Sequence, residues 1–158
     1  MPKIIVIRGP LGVGRTTIAK LLADKINAQY LSLDKILKDN NLEKKDGIPV
    51  ENFLKANDII LKITQSSKGS FIIDSCFYYQ EQIDDLKNKF SNNIIFFSLV
   101  SGVEKCITRD SQREIVYGKN ATEYVHMITT KIKEGYEIDN TNLTILETLD
   151  EIIEILNK

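Results

Sequence analysis

The chain has 158 residues, a formal net charge of −1, and ordinary fractions of apolar (42%) and charged (27%) residues. This length predicts one domain with a substantial core, and the near-neutral charge excludes a general electrostatic attraction to nucleic acid or anionic membranes. A single histidine and two cysteines disfavour a His-Cys zinc cluster and a Ser-His triad as the basis of function.

No apolar run approaches the roughly 20 residues of a membrane span. The N-terminus leads directly into a short strand, which is not the pattern of a signal peptide. We therefore expect a cytoplasmic protein without a membrane partner. Cys76 and Cys106 lack the spacing of metal ligands, so we expect free thiols.

The first predicted elements are a strand at residues 3–8, a glycine-rich turn at residues 9–17 and a helix at residues 15–25. The turn has the spacing of the phosphate-binding loop, G-x-x-x-x-G-K-[ST], except that Arg15 stands in place of lysine. Glycines let backbone N–H groups surround phosphate oxygens, and the start of a helix adds unpaired donors. Arg15 can reach the outer phosphates, and the Thr16 hydroxyl is placed to bind Mg²⁺. A tight turn without a ligand is the alternative, which three glycines at these offsets disfavour.

A second strand is predicted at residues 29–33 and is followed by Asp34. This aspartate either caps a helix or orients and deprotonates an acceptor hydroxyl. Residues 38–48 are polar and predict an exposed connection, which is either a plain loop or a flap that closes over substrate. The next helix is predicted to begin near Pro49 and to end at Gly69.

The third predicted strand, residues 71–74, ends in Asp74. Functional residues of a parallel sheet gather where its strands end, so Asp34 and Asp74 are expected near the glycine-rich turn. Asp74 is a candidate to hold a water bound to Mg²⁺. After a helix at residues 79–89, residues 94–100 form a continuous apolar run that predicts a strand buried on both faces.

Ser101 and Glu104 have the spacing of a capping box, which predicts the start of the next helix. Arg109 and Arg113 follow four residues apart and are expected on one helix face. They either bind phosphates and stack on a base, or pair with acids at the surface.

The C-terminal part predicts a helix at residues 121–134 that ends at Gly135, and a strand at residues 136–139. A second capping box, Thr144 with Glu147, starts the last helix. Five strands alternating with helices predict a three-layer α/β fold with a parallel sheet and helices on both faces.

Five stretches taken in order resemble a small P-loop kinase: residues 8–17, 31–36, 71–74, 109–113 and 138–143. That group includes adenylate, shikimate and gluconate kinases and the 5′-hydroxyl polynucleotide kinase domain, and the chain looks closest to its AAA-domain kinase-like subgroup. The resemblance implies the P-loop NTPase strand order 2-3-1-4-5 within a single domain, residues 1–158. It also implies a lid at about residues 114–120 and an acceptor-side region at about residues 35–68.

The same resemblance implies that Arg109 flanks the adenine, that Arg113 reaches the phosphates from the base of the lid, and that Asp34 orients or deprotonates the acceptor. Arg15 departs from the family's lysine, and residues 35–68 contain no arginine to bind an anionic acceptor. The second departure argues against a standard nucleoside monophosphate kinase and against shikimate as substrate. Lysines in that region can substitute only as point charges.

The sequence thus predicts a kinase that uses ATP and Mg²⁺ to phosphorylate the hydroxyl of a small molecule or nucleoside. The alternatives are a nucleotide-binding protein with little or no kinase activity, which Arg15 would explain, and a polynucleotide 5′-hydroxyl kinase, which the overall charge does not favour. The candidate nucleotide-binding residues are Gly9, Gly12, Val13, Gly14, Arg15, Thr16, Thr17, Arg109 and Arg113. The candidate catalytic residues are Arg15, Asp34 and Arg113, and the candidate metal ligands are Thr16 and Asp74.

Overall fold

A computed structural model describes residues 3–158 of the chain. Strands and helices alternate along most of its length, with a 3₁₀ turn at Ser91–Asn93 before the fourth strand. The elements are β1 (Ile4–Arg8), α1 (Arg15–Ile26), β2 (Gln29–Ser32), α2 (Leu33–Asp39), α3 (Val50–Gln65), β3 (Phe71–Ser75), α4 (Gln80–Phe90), β4 (Ile94–Val100), α5 (Val103–Ser111), α6 (Lys119–Thr130), β5 (Tyr136–Asp139) and α7 (Ile145–Leu156).

The five strands form one parallel sheet in the order β2-β3-β1-β4-β5. Strand β1 is central, and its Val6 lies opposite Ile73 of β3 and Phe96 of β4. The predicted fold class and strand order are therefore confirmed. Because all strands run the same way, their carboxyl ends share one edge of the sheet, and the loops at that edge can build a site.

Two apolar cores cover the two faces of the sheet. Alternate residues of β1 separate between them: Ile4 and Val6 pack with the core of α2, α3 and α4, whereas Ile5 and Ile7 pack with that of α1, α5 and α7. This separation follows from the period of two along a strand. It explains why the central strands read as unbroken apolar runs, since each face is buried.

Several helix ends differ from the predicted ones. The box of Thr144 and Glu147 is present at the start of α7 and is confirmed, but the box at Ser101 is not. Gly102 is the N-cap of α5, no side chain caps that end, and the Gly102 N–H donates to Thr141 Oγ1 at 3.0 Å. The helix starts one residue later than a capping box at Ser101 requires, because Gly102 is held by a distant segment.

Other boundaries were also placed wrongly. Helix α3 ends at Gln65, before Gly69, and α6 spans Lys119–Thr130, ending before Gly135. Within residues 3–158, the structure contains no helix that is both long and apolar enough to cross a membrane.

Candidate functional site

The glycine-rich loop connects β1 to α1 at the carboxyl edge of the sheet. Gly14 is the N-cap of α1 with φ of 96°, in the left-handed region that favours glycine. Gly12 has φ of 79°, and a Cβ built there would lie 2.2 Å from the carbonyl oxygen of Cys106 in α5. The loop therefore packs directly against α5, and only a glycine permits this approach.

Asn140, the residue after β5, also contacts this loop. Its buried amide Nδ2 donates to the Val13 carbonyl at 2.9 Å. Its own Oδ1 and backbone oxygen accept from the guanidinium of Arg109, each at 3.2 Å. Asn140 thus connects the loop to the arginine of α5, so that three segments distant in sequence form one wall.

The carboxylate of Asp74 is the centre of the buried part of the site. Its Oδ1 accepts from Arg15 Nε at 2.9 Å. Its Oδ2 accepts from the hydroxyls of Thr16 at 2.8 Å and Tyr30 at 2.7 Å. The structure therefore brings the two predicted metal ligands, Thr16 and Asp74, into direct contact.

Arg15 is buried, and its guanidinium is directed beneath the loop. Besides Asp74, its Nη1 donates to the Gly9 carbonyl at 2.6 Å and to Cys76 Sγ at 2.8 Å. Its Nη2 makes none of these bonds, and Arg15 also lines the larger of the two cavities described below. In the conformation observed, Arg15 positions Asp74.

Burial opposes the charge of Arg15, whereas the neighbouring Cys76, Asp74 and Asp34 favour it, and the net effect is a raised pKa. Burial also raises the pKa of the Cys76 thiol. That thiol is therefore uncharged at neutral pH, and the lasting partner charge for Arg15 is the carboxylate of Asp74. Loss of water, followed by the bond to Asp74, raises the pKa of Tyr30, so its hydroxyl stays protonated and donates.

Asp34 lies in the first turn of α2, and not at the end of β2 as expected. The cap of that helix is Ser32, whose side chain accepts from the Lys35 N–H at 3.2 Å, so Asp34 is free of a capping role. Desolvation raises the pKa of Asp34, while the charge of Arg15 opposes this change. A carboxyl group with a raised pKa is a stronger base than an ordinary aspartate.

The expectation that Arg109 and Arg113 share a helix face was wrong. Helix α5 ends at Ser111, so only Arg109 is helical, and Arg113 lies on the loop that follows. We call residues 112–118, between α5 and α6, the lid loop; residues 119 and 120 of the predicted lid belong to α6. Both arginines nevertheless line the same cavity.

That cavity has a volume of about 570 Å³ and lies against the glycine-rich loop. Its walls come from the loop, from α5, and from the segment after β5. A second cavity of about 430 Å³ lies between α2, the connection before α3, and the lid loop. Asp34 lines this second cavity.

The residues present fit Mg²⁺ and a nucleotide. Within residues 3–158 no group of three or more His, Cys, Asp and Glu side chains could hold a metal ion. Magnesium bound with a nucleotide needs only one or two carboxylates or hydroxyls, because phosphates and waters complete its coordination. Thr16 and Asp74 provide such a pair beside the loop amides.

Sequence reasoning missed Tyr30 and the bracing role of Asn140. Tyr30 is one of two apolar or aromatic residues of β2, and nothing in the pattern shows that its hydroxyl would reach Asp74. Asn140 lies in one of the five stretches that carry the family resemblance, but its bonds to Val13 and Arg109 depend on tertiary packing.

No protein-family model matches the chain. Relatives similar to this chain in sequence include proteins that are kinases by name. A protein of Thermococcus gammatolerans, named provisionally as an adenylate kinase, is 26% identical over 163 residues, covering 98% of this chain and 86% of that protein. The cytidylate kinase of Thermosipho melanesiensis is 40% identical over 79 residues, which are 46% of this chain and 34% of that protein.

Solved structures show the same fold. A sugar kinase from Janibacter sp. HTCC2649 matches with a TM-score of 0.79 at 18% identity, covering 99% of this chain and 95% of its own. A gluconokinase from Sinorhizobium meliloti 1021 matches with a TM-score of 0.75 at 14% identity, covering 99% of this chain and 96% of its own. The shikimate kinase of Aquifex aeolicus matches with a TM-score of 0.68 at 16% identity, covering 98% of this chain and 96% of its own.

These relatives and structural neighbours are small P-loop kinases, so the resemblance inferred from the sequence motifs is confirmed. They support a P-loop phosphotransferase in general terms. They differ in acceptor, from nucleotides to sugars and sugar acids, and leave the acceptor of this chain open.

Proposed function

We propose that this protein transfers the γ-phosphoryl group of ATP to the hydroxyl of a small molecule or nucleoside. The observation that carries the proposal is the direct contact between Thr16 and Asp74, beside a glycine-rich loop and a cavity large enough for a nucleotide. The cavity next to it contains Asp34. A donor site and an acceptor site then meet at the carboxyl edge of the sheet.

On the donor side, loop amides of residues 9–17 bind the phosphates, and Arg109 flanks the base with Asn140 behind it. Thr16 and Asp74 hold Mg²⁺, which when bound neutralises charge on the phosphate oxygens. Arg113 approaches the phosphates as the lid loop closes. Most of the catalysis is then positioning and charge stabilisation.

On the acceptor side, Asp34 accepts the proton that the acceptor hydroxyl loses. The raised pKa of Asp34 suits this role, because a stronger base removes that proton more readily. Residues between 37 and 48, together with Tyr117 of the lid loop, provide the other walls. Lys44 and Lys45 line this cavity and offer point charges to an anionic acceptor.

Arg15 has two tasks in the proposal. It positions Asp74 when the phosphate site is open, as observed. When nucleotide binds, we expect the side chain to turn toward the phosphates, and a metal ion held by Thr16 and Asp74 would compensate the charge of Asp74. The contact with Asp74 also favours the second candidate function, nucleotide binding without transfer, in which Arg15 never turns.

The test is phosphoryl transfer from radiolabelled ATP, with Mg²⁺, to cytidine, gluconate, shikimate, AMP and CMP. We expect transfer to a hydroxyl of cytidine, gluconate or shikimate, whereas transfer to the phosphate of AMP or CMP would reject the proposed hydroxyl acceptor. Asp34→Asn should reduce transfer by about 100-fold or more, since it removes a general base, and leave ATP affinity unchanged.

The matched control is Asp39→Asn, an exposed residue of the same helix that pairs with Lys35, and it should keep full activity. ATP binding without transfer to any acceptor would favour the second candidate. A fully active Asp34→Asn variant would remove Asp34 from the mechanism.

A further inference from the structure

Tyr117 lies where the two cavities of the site approach each other. It belongs to the lid loop, half of its surface is exposed, and it lines the 430 Å³ cavity together with Asp34. Arg113, four residues earlier in the same loop, lines the 570 Å³ cavity. The guanidinium of Arg113 lies 5.2 Å from the centre of the Tyr117 ring, within range of a cation–π interaction.

A buried carboxylate holds the backbone of the loop at this point. Asp110 of α5 is 1% exposed, and it accepts from the N–H groups of Tyr117 at 3.2 Å and Gly118 at 2.9 Å. A buried carboxylate with two backbone donors is a strong constraint. The backbone at Tyr117 is therefore held by the helix that also carries Arg109.

The walls of the smaller cavity have two kinds of surface. Tyr117, Leu37 and Ile48 provide apolar surface. The other side chains carry charge of both signs, namely Asp34, Glu43, Lys44 and Lys45. An aromatic face stacks best on another flat ring, and charged groups bind the polar substituents at a ring's edge. This combination suits a ring compound with polar groups better than an open-chain polyol.

We propose that Tyr117 is a specificity-determining residue that stacks on the ring of the acceptor and, through Arg113, couples acceptor binding to nucleotide binding. This inference rests on the proposed function for the location of the acceptor. An acceptor ring against Tyr117 holds the Tyr117–Arg113 pair in place, which keeps Arg113 at the nucleotide cavity. Binding of the two ligands is then cooperative.

The experiment measures binding of CMP, AMP, shikimate and gluconate by calorimetry, with Mg²⁺ and a non-hydrolysable ATP analogue present. The proteins are the wild type, Tyr117→Ala, Tyr117→Phe and Tyr124→Ala. Tyr124 is the matched control because it is an exposed tyrosine of α6, next to the lid loop, that lines neither cavity.

We expect at least one of the three ring compounds to bind the wild type more tightly than gluconate. Tyr117→Ala should weaken that binding about tenfold or more, whereas Tyr117→Phe should stay within about twofold, because the ring is kept. Tyr124→Ala should match the wild type. In Tyr117→Ala the ring compound should also no longer increase the affinity for the ATP analogue.

Equal binding by Tyr117→Ala and the wild type would overturn the inference, and so would an equal loss in Tyr124→Ala. Preference for gluconate, or failure of every ring compound to bind, would overturn it as well, while transfer to gluconate would leave the proposed function intact. Conversely, Tyr117-dependent ring binding without phosphoryl transfer would keep the inference and reject the proposed function.

Discussion

The carboxylate of Asp74 is satisfied by three donors, one from the loop arginine and two from hydroxyls. Removing one partner of a buried ion pair usually costs more than the pair contributes, because the remaining charge stays buried. We therefore expect that replacing either Arg15 or Asp74 with a neutral residue lowers the free energy of unfolding. An arginine in place of the usual lysine serves here as a fork that engages Asp74 and the Gly9 carbonyl together.

Asp34 should lower stability at neutral pH. Its pKa in the folded protein is raised above the usual 3.8, first by desolvation and secondarily by the charges of Asp74 and Glu43. The folded state therefore binds this proton more tightly than the unfolded state, and ionisation reduces the free energy of unfolding as pH rises from below 3.8 through the raised pKa. Asp34→Asn cannot ionise, so it should melt at a higher temperature than the wild type at pH 7.

The measurement is thermal unfolding of both proteins between pH 7 and pH 4. The advantage of Asp34→Asn should shrink toward pH 4, where the folded wild-type carboxyl takes up its proton and the unfolded one begins to do so. Asp46→Asn, at an exposed position of the connection before α3, is the control for loss of a surface charge. A variant less stable than the wild type at pH 7 would contradict the assignment of a raised pKa.

At the scale of elements, the strands were easier to predict than the ends of the helices. Strands β1, β3 and β4 are buried on both faces, so each appears in the sequence as a continuous apolar run with polar residues around it. The cap of α5 depends on a bond from Gly102 to Thr141, which is 39 residues away in the chain. Local patterns cannot contain such information.

The residues of the candidate site also divide into those that the sequence could place and those that it could not. Thr16 and Asp74 could be placed together from the sequence, because a helix after β1 and the end of β3 must meet at one edge of a parallel sheet. Their role toward a metal ion stays a prediction. The direction of the Arg15 side chain could not be predicted, because it depends on Cys76 and Asp74 lying beneath the loop.

Gly12 should be essential to the contact between the loop and α5. Two effects oppose any side chain there: its φ of 79°, and the carbonyl oxygen of Cys106 at 2.2 Å from a built Cβ. The backbone effect alone costs about 1–2 kcal/mol. Gly12→Ala should lose more than this in free energy of unfolding, because backbone must move in the loop or in α5 to relieve the contact.

Gly69→Ala separates the two effects. Gly69 has φ of 101° and nothing within 4 Å of a built Cβ, so only the backbone cost of about 1–2 kcal/mol applies. Urea unfolding of both variants measures the difference. Equal losses in the two proteins would show that the loop is not tightly packed against α5.

For the whole molecule, the larger cavity depends on three segments that are far apart in sequence: the loop after β1, helix α5, and the segment after β5. Asn140 connects all three through Val13 and Arg109. A ligand that contacts these segments together therefore opposes their separation. Ligand binding should therefore raise the free energy of unfolding of the whole fold and protect those segments from hydrogen exchange.

A non-hydrolysable ATP analogue with Mg²⁺ should accordingly raise the melting temperature. At 100 times the dissociation constant, binding adds about 2.7 kcal/mol, which corresponds to roughly 5–10 °C for a domain of this size.

Hydrogen exchange should slow in residues 9–17 and 105–118 beyond the effect expected from global stabilisation. Helix α4 is the internal control, because Ile83 and Leu86 pack in the core on the opposite face of the sheet. Chelation of Mg²⁺ should reduce the shift, since Thr16 and Asp74 then have no metal ion to bind. A shift that is unchanged by chelation, or protection as strong in α4 as in the loop, would place the nucleotide elsewhere.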